Sequence, residues 1–156
     1  MIAATTNLTV RPLAVNEVAR CVPFGHAFYE ELRLPDAFSP SDFIEAWTTM
    51  LCVQDAVILG LWDGDTLVGG LGAVVSPNIN SGVRLGADYF WYVQPAYRAG
   101  SGALRLFRAF MAWAREHGAK RCRMILSETD PRVEQLTSLY KRLGGVRCES
   151  TWEFPL

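Results

Sequence analysis

The sequence predicts an α/β (α+β) fold: one domain over residues 1–156, with a mixed, mostly antiparallel central sheet of six to seven strands flanked by about four helices. Three observations carry that reading. Asp63-Gly64 separates two apolar runs, 55–62 and 66–75, and this dipeptide between such runs is a strong hairpin signal. Residues 86–94 are apolar on both faces, as a central strand must be. A helical pattern at 101–117 and another strand-like run at 120–126 follow. Strand, helix and strand then form a right-handed crossover that sets two strands parallel.

The remaining elements follow from local chemistry. Residues 7–13 are rich in strand formers, and the strand closes at Pro12. Residues 15–32 turn helical, with Val18, Val22, Phe28 and Tyr29 recurring on turns. Pro23 and Gly25 interrupt this stretch, giving two shorter helices or one kinked helix. Ser39-Pro40-Ser41-Asp42 is a capped helix start ahead of Phe43, Ile44, Trp47 and Leu51. Pro, Asn and Gly in 76–82 take the chain out of the sheet. On the helix at 101–117, Leu104, Phe107 and Met111 form one stripe, which Phe110, Trp113 and Ala114 extend. Gly118 is placed to cap it. A helix at 131–143 stops at Gly144-Gly145, and 146–154 reads as a final strand.

Composition narrows the function. The chain is 50% hydrophobic and 20% charged, enough apolar material for a core and too little polarity for disorder. No apolar run reaches the roughly 18 residues of a membrane span. Residues 1–10 lack the basic-then-apolar build of a signal peptide, so the cytoplasm is the expected location. Cys21, Cys52, Cys122 and Cys148 form no Cys-x-x-Cys pair, and His26 and His117 lie far apart. No metal site is expected, and the thiols read as reduced. The net charge of −1 hides an asymmetry: residues 1–96 carry 4 basic and 10 acidic side chains, residues 97–156 carry 11 and 6. A basic half suits a polyanionic ligand. Without a motif that joins stacking rings to basic side chains, nucleic acid is not an expected partner.

The chemistry concentrates where strand 86–94 meets helix 101–117. Arg98-Ala99-Gly100-Ser101-Gly102-Ala103 is a loop of small residues behind an arginine, running into a helix start. Phosphate oxygens need donors at close range without side chains in the way. Small residues allow the approach, and a helix N-terminus adds unsatisfied N–H groups and the positive end of its dipole. Val93-Gln94-Pro95-Ala96-Tyr97-Arg98 entering this loop, together with the element order, resembles the GNAT superfamily of acyl-CoA-dependent N-acyltransferases. The likeness covers nearly the whole chain in element order. At motif level it covers 89–118 and 136–145. The family pattern is Gln/Arg-x-x-Gly-x-Gly/Ala; Arg98 and Ala103 fit it and Ser101 replaces the first glycine, unless Gly100 and Gly102 form the pair one residue out of register. The resemblance implies that acetyl-CoA (coenzyme A) is the cofactor, with its pyrophosphate on residues 98–103 and its pantetheine arm along the strand edge near Tyr92 and Val93.

A second segment, Ser138-Leu139-Tyr140-Lys141-Arg142-Leu143-Gly144-Gly145, resembles the family's Leu-Tyr-x-x-Leu-Gly-Phe motif. The likeness implies that Tyr140 protonates the departing thiolate, a task suited to a phenol with a reference pKa of about 10. For the general base, two carboxylates stand out. Asp88 is the only acid in the apolar central strand, and Glu128 follows strand 120–126. Glu30 and Glu31 could recognise a cationic acceptor. The aromatic run Tyr89, Phe90, Trp91 and Tyr92 reads as core, with a stacking platform as the alternative, and His117 as a charge at a helix end. The expected reaction is acetyl transfer to a primary amine, small molecule or peptide, by direct attack. The alternative is a non-catalytic module that keeps the fold for binding coenzyme A or a protein. The final strand could pair across a homodimer.

Overall fold

A computed structural model of the protein describes residues 7–53 and 55–156; the Thr-rich start, residues 1–6, lies outside them. The strands are β1 (Leu8–Pro12), β2 (Ala56–Asp63), β3 (Thr66–Pro77), β4 (Arg84–Val93) and β5 (Arg121–Arg123). The helices are α1 (Val22–Leu32), α2 (Pro40–Val53), α3 (Gly102–Glu116) and α4 (Val133–Arg142). The sheet runs β1-β2-β3-β4-β5. Its first three junctions are antiparallel and the last is parallel. No helix among the described residues is long and apolar enough to cross a membrane.

The β2–β3 hairpin closes with Asp63 opposite Thr66, and Gly64 adopts φ +58 in the turn. Only glycine takes that left-handed backbone without cost. Residues 15–32 divide into two elements: a 3-10 helix, Val15–Cys21, then α1, with Pro23 in its first turn where a missing N–H costs nothing. Gly25 does not interrupt α1. A Cβ there would meet Phe38 at 2.2 Å, so the glycine admits that ring.

Each face of the sheet carries its own core. On one face α3 packs against Leu59, Leu61, Leu71, Val75 and Val93. Its fully buried line is Leu106, Phe110 and Ala114, one helical turn apart. That line lies beside the expected stripe of Leu104, Phe107 and Met111, which is only partly buried. The apolar arc of α3 is wide, and the sheet touches its other flank. On the opposite face α1 and α2 bury Phe24 and Trp47 against Ile58, Phe90 and Tyr92.

Two expectations fail at the edge of the sheet. Among the described residues it has five strands, not six to seven, and residues 146–154 form none. The run at 120–126 shortens to Arg121–Arg123. Just beyond its end, the Ile125 N–H donates to a side chain, the Asp88 carboxylate, at 2.7 Å. With β5 cut short, the alternating residues beyond α4 find no ladder of their own.

Candidate active site

β4 is bound very differently along its two edges. Against β3 it pairs from Arg84 to Val93, broken only by a bulge: Gly72 faces Phe90 and Ala73 faces Asp88, leaving Tyr89 as the extra residue. Against β5 it pairs at Leu85, Gly86 and Ala87 alone. From Asp88 onward the second edge has no strand partner among the described residues, and this unpaired stretch is the candidate cleft. Asp88 sits at its start. It is 3% exposed, and burial pushes its carboxyl up to about 7, partly opposed by the N–H groups of Ile125 and of Asp88 itself.

Tyr140 reaches this place from α4. Its ring stacks on Trp91 of β4, with centroids 6.2 Å apart and planes 16° from parallel. Phe107 of α3 also lies against Trp91, at 6.4 Å. The Tyr140 hydroxyl has no hydrogen-bond partner among the described residues. Burial raises its pKa, and the negative charges of Asp88 and Asp130 raise it further. A phenol beside a desolvated carboxyl, at the mouth of a parted strand pair, can hold and deliver a proton.

The loop from β4 to α3 meets the needs of an anion site. A 3-10 turn, Pro95–Tyr97, is pinned when the Tyr97 hydroxyl donates to Asp63 at 3.0 Å. No side chain caps α3. Ser101 instead accepts from Arg105 Nε through its hydroxyl, at 3.1 Å. The N–H groups of Ser101, Gly102, Ala103 and Leu104 have no acceptor among the described residues, which leaves the first-turn donors available. Gly102 presses the helix start onto β2: a Cβ there would meet Leu61 at 2.6 Å. Ala99, Gly100 and Ser101 are exposed. This donor set fits a pyrophosphate.

Arg98 does not stand free beside these donors. Its Nη2 donates to both oxygens of Glu31, at 2.7 and 2.9 Å, and its Nε donates to the Val93 carbonyl at 2.7 Å. Arg132 meets the same Glu31 at 3.2 Å and also pairs with Asp130 at 3.0 Å. Burial works against the Asp130 charge, but the hydrogen bonds from Arg132 outweigh it and lower the pKa. This chain of charges joins α1, the loop after β4 and the start of α4. The Thr129 hydroxyl reinforces it by donating to the Leu32 carbonyl at the end of α1. Tyr92 and Val93 lie beside it with buried side chains, Tyr92 under the Arg98 guanidinium at 5.2 Å.

Tyr140 thus lies near Asp88 and against Trp91, while Arg98, at the start of the 98–103 loop, lies against Tyr92 and Val93. Glu128 stands apart: its side chain is 77% exposed and paired with Arg147 at 2.7 Å. Glu31 is bound into the charge network, and Glu30 is exposed. His117 stays at the end of α3, its Nδ1 2.8 Å from the Trp113 carbonyl. Sequence reasoning read Trp91 as core and Asp130 only as a candidate helix start, and it did not single out Arg132. Strand alternation could have found Trp91, since it faces opposite to the buried Phe90 and Tyr92. Nothing local marks Arg132, or the pairing of Asp130 with it. Two depressions, of about 290 and 430 Å³, lie over Trp62 and along α2, and neither borders the cleft.

The sequence matches the Acetyltransferase (GNAT) family over residues 24–145. No curated protein matches it. Solved structures with the same fold include an aminoglycoside acetyltransferase from an uncultured soil metagenomic sample, with a TM-score of 0.76 at 22% identity, covering 96% of this chain and 99% of that one. A ribosomal-protein-alanine N-acetyltransferase from Brucella melitensis biovar Abortus 2308 has a TM-score of 0.74 at 19% identity, covering 96% and 99%. A predicted acetyltransferase with acetyl-CoA from Clostridium acetobutylicum has a TM-score of 0.76 at 13% identity, covering 95% and 96%.

Proposed function

Because this chain belongs to the GNAT family of acetyltransferases, we propose that it transfers an acetyl group from acetyl-CoA to a primary amine by direct attack in the cleft between β4 and β5. The observation that carries the proposal is the loss of β4–β5 pairing at Asp88, with Tyr140 against Trp91 at the opening. The Clostridium structure with acetyl-CoA supports the choice of cofactor. When bound, acetyl-CoA supplies an acetyl group already activated as a thioester.

The candidate site residues divide the work in this reading. The N–H groups of Ser101 to Leu104 hold the pyrophosphate, and Ala99 and Gly100 keep the approach clear. The open edge of β4 at Tyr92 and Val93 orients the pantetheine arm. Tyr140 keeps its proton on the hydroxyl at neutral pH, because its pKa is raised, and serves as donor to the leaving sulfur. Asp88, with a pKa near neutrality, receives the proton of the amine. The exposed Glu128 has no role in the transfer.

Aminoglycosides and a ribosomal-protein alanine are the targets named for two proteins of this fold; at their identities, neither target is carried over to this chain. The test is release of free thiol from acetyl-CoA in the presence of a panel of amines. Tyr140→Phe is expected to slow the release while calorimetric binding of coenzyme A persists. One observation favours a competing reading, a fold kept for binding alone: Asp88 is buried and already engaged by Ile125. Coenzyme A binding with no thiol release across the panel would establish that reading instead.

A further inference from the structure

Two exposed apolar side chains border the Asp88 carboxyl. Tyr89, the extra residue of the bulge, follows it on β4 and is 59% exposed. Ile125, whose N–H bonds that carboxyl, is 66% exposed. The approach to the proposed base is therefore bordered by apolar groups.

Behind Tyr89 stands a continuous wall of rings. Tyr89 meets Trp47 of α2 edge to face at 6.1 Å, and Trp47 meets Phe43 at 6.4 Å. Phe38, between α1 and α2, lies 5.6 Å from Phe43 and 5.3 Å from Tyr29 of α1. Tyr29, Phe38 and Phe43 are only partly buried, so the wall keeps an open side. Two glycines seat it. A side chain at Gly72 would strike Trp47 and Phe90, and one at Gly25 would strike Phe38. The bulge adds the last ring. In a regular strand Tyr89 and Phe90 would point to opposite faces, whereas here both lie against Trp47.

The charges near the cleft are already matched to one another. Glu31 holds Arg98 and Arg132, Asp130 holds Arg132, and Glu128 holds Arg147. Of these acids and the neighbouring Glu30, only Glu30 makes no ion pair among the described residues. A polycationic acceptor finds one free carboxylate here, too few to match its charge. An acceptor with its own carboxylate meets arginines that are already paired. An apolar ring gains contact with the wall and breaks none of these pairs.

We propose that the acceptor of this chain is an arylalkylamine: one primary amine joined by a short apolar linker to an aromatic ring, with the ring against Tyr89 and the amine at Asp88. The inference takes its chemistry from the transfer reading above and its substrate class from the wall. The C–N bond forms as the C–S bond breaks; Asp88 takes a proton from the amine and Tyr140 gives one to the sulfur, so the products are the N-acetylamine and free coenzyme A. Two measurements test it. The first is kcat/KM for thiol release with phenethylamine, butylamine, an aminoglycoside and an alanine-terminated peptide. The second is calorimetric binding of phenethylamine in the presence of coenzyme A. Phenethylamine is expected to exceed each other amine by about tenfold or more, roughly the worth of one ring contact. Tyr89→Ala is expected to raise its KM by about tenfold, and Tyr89→Phe to keep it, because the ring makes the contact. Binding of phenethylamine without thiol release would sink the transfer reading and uphold the ring site. Release that is as fast or faster with butylamine, the aminoglycoside or the peptide would overturn the ring site and leave transfer standing. Absence of both binding and release overturns the proposal, as does a KM that Tyr89→Ala leaves unchanged.

Discussion

The two edges of β4 are made from the same ten residues, yet one is bonded along its length and the other opens after three pairs. On the β3 side the glycines Gly69, Gly70 and Gly72 leave room for the residues of β4. On the β5 side the ladder stops at Ala87, and the Asp88 carboxylate accepts from the Ile125 N–H just beyond it. The closed edge holds the sheet together. The open edge has no strand partner beyond Ala87 among the described residues. A parallel pair suits such an opening, because its strands come from distant parts of the chain and can part without straining a hairpin.

The contrast can be broken from the open side first. Tyr140→Phe removes the proposed proton donor and is expected to lower kcat by about 10²- to 10⁴-fold, with little change in the KM for acetyl-CoA. Steady-state kinetics at saturating amine read this directly. An equal loss in binding would move Tyr140 from chemistry to packing against Trp91.

Asp88→Asn comes next. With the carboxyl at about 7, activity of the wild type should rise with pH through that value and then level off, as the base ionises. The Asn variant should lose this limb and about 10²-fold in kcat/KM. The same shift bears on stability. The folded pKa lies above the ordinary carboxylate value, so the folded state binds the proton more tightly. Asp88 therefore costs nothing below about 4, and its burial penalty grows as pH rises to about 7. Thermal melts of wild type and Asp88→Asn should diverge across that window, with the variant less affected by rising pH.

The closed side is broken by Gly72→Ala. Its Cβ would meet Phe90 at 2.4 Å and Trp47 at 2.5 Å, so a loss of about 1–3 kcal/mol is expected on denaturant unfolding. Residual activity per folded molecule should change little. The smallest effect is expected from Glu31→Gln. The Arg98 and Arg132 pairs with Glu31 are partly exposed, and stability should fall by less than about 1 kcal/mol. The same variant frees Arg98, so the KM for acetyl-CoA reports whether the network competes with the cofactor.

The parts of this arrangement that depend on neighbours in sequence were legible there. Gly64 sets the hairpin, Gly118 takes φ +82 after α3, and the small-residue loop leads into that helix as expected. The bulge at Tyr89 and the bond from Ile125 to Asp88 were not legible. They depend on which residues meet across strands, and the local pattern at 120–126 still reads as a full strand. The same holds for Arg98. Its place beside the loop suggested a partner for phosphate, but Glu31 on α1 reaches it first. Residues 146–154 alternate as a strand should, and only the early end of β5 shows why they lack a ladder.

Hydrogen–deuterium exchange with and without acetyl-CoA tests the central claim most directly, because it reads the backbone of the open edge itself. Binding should slow exchange within residues 89–93 and at Ser101 to Leu104, and leave β1 and β2 unchanged. Binding that leaves both segments as fast as before would contradict the assignment of the cleft.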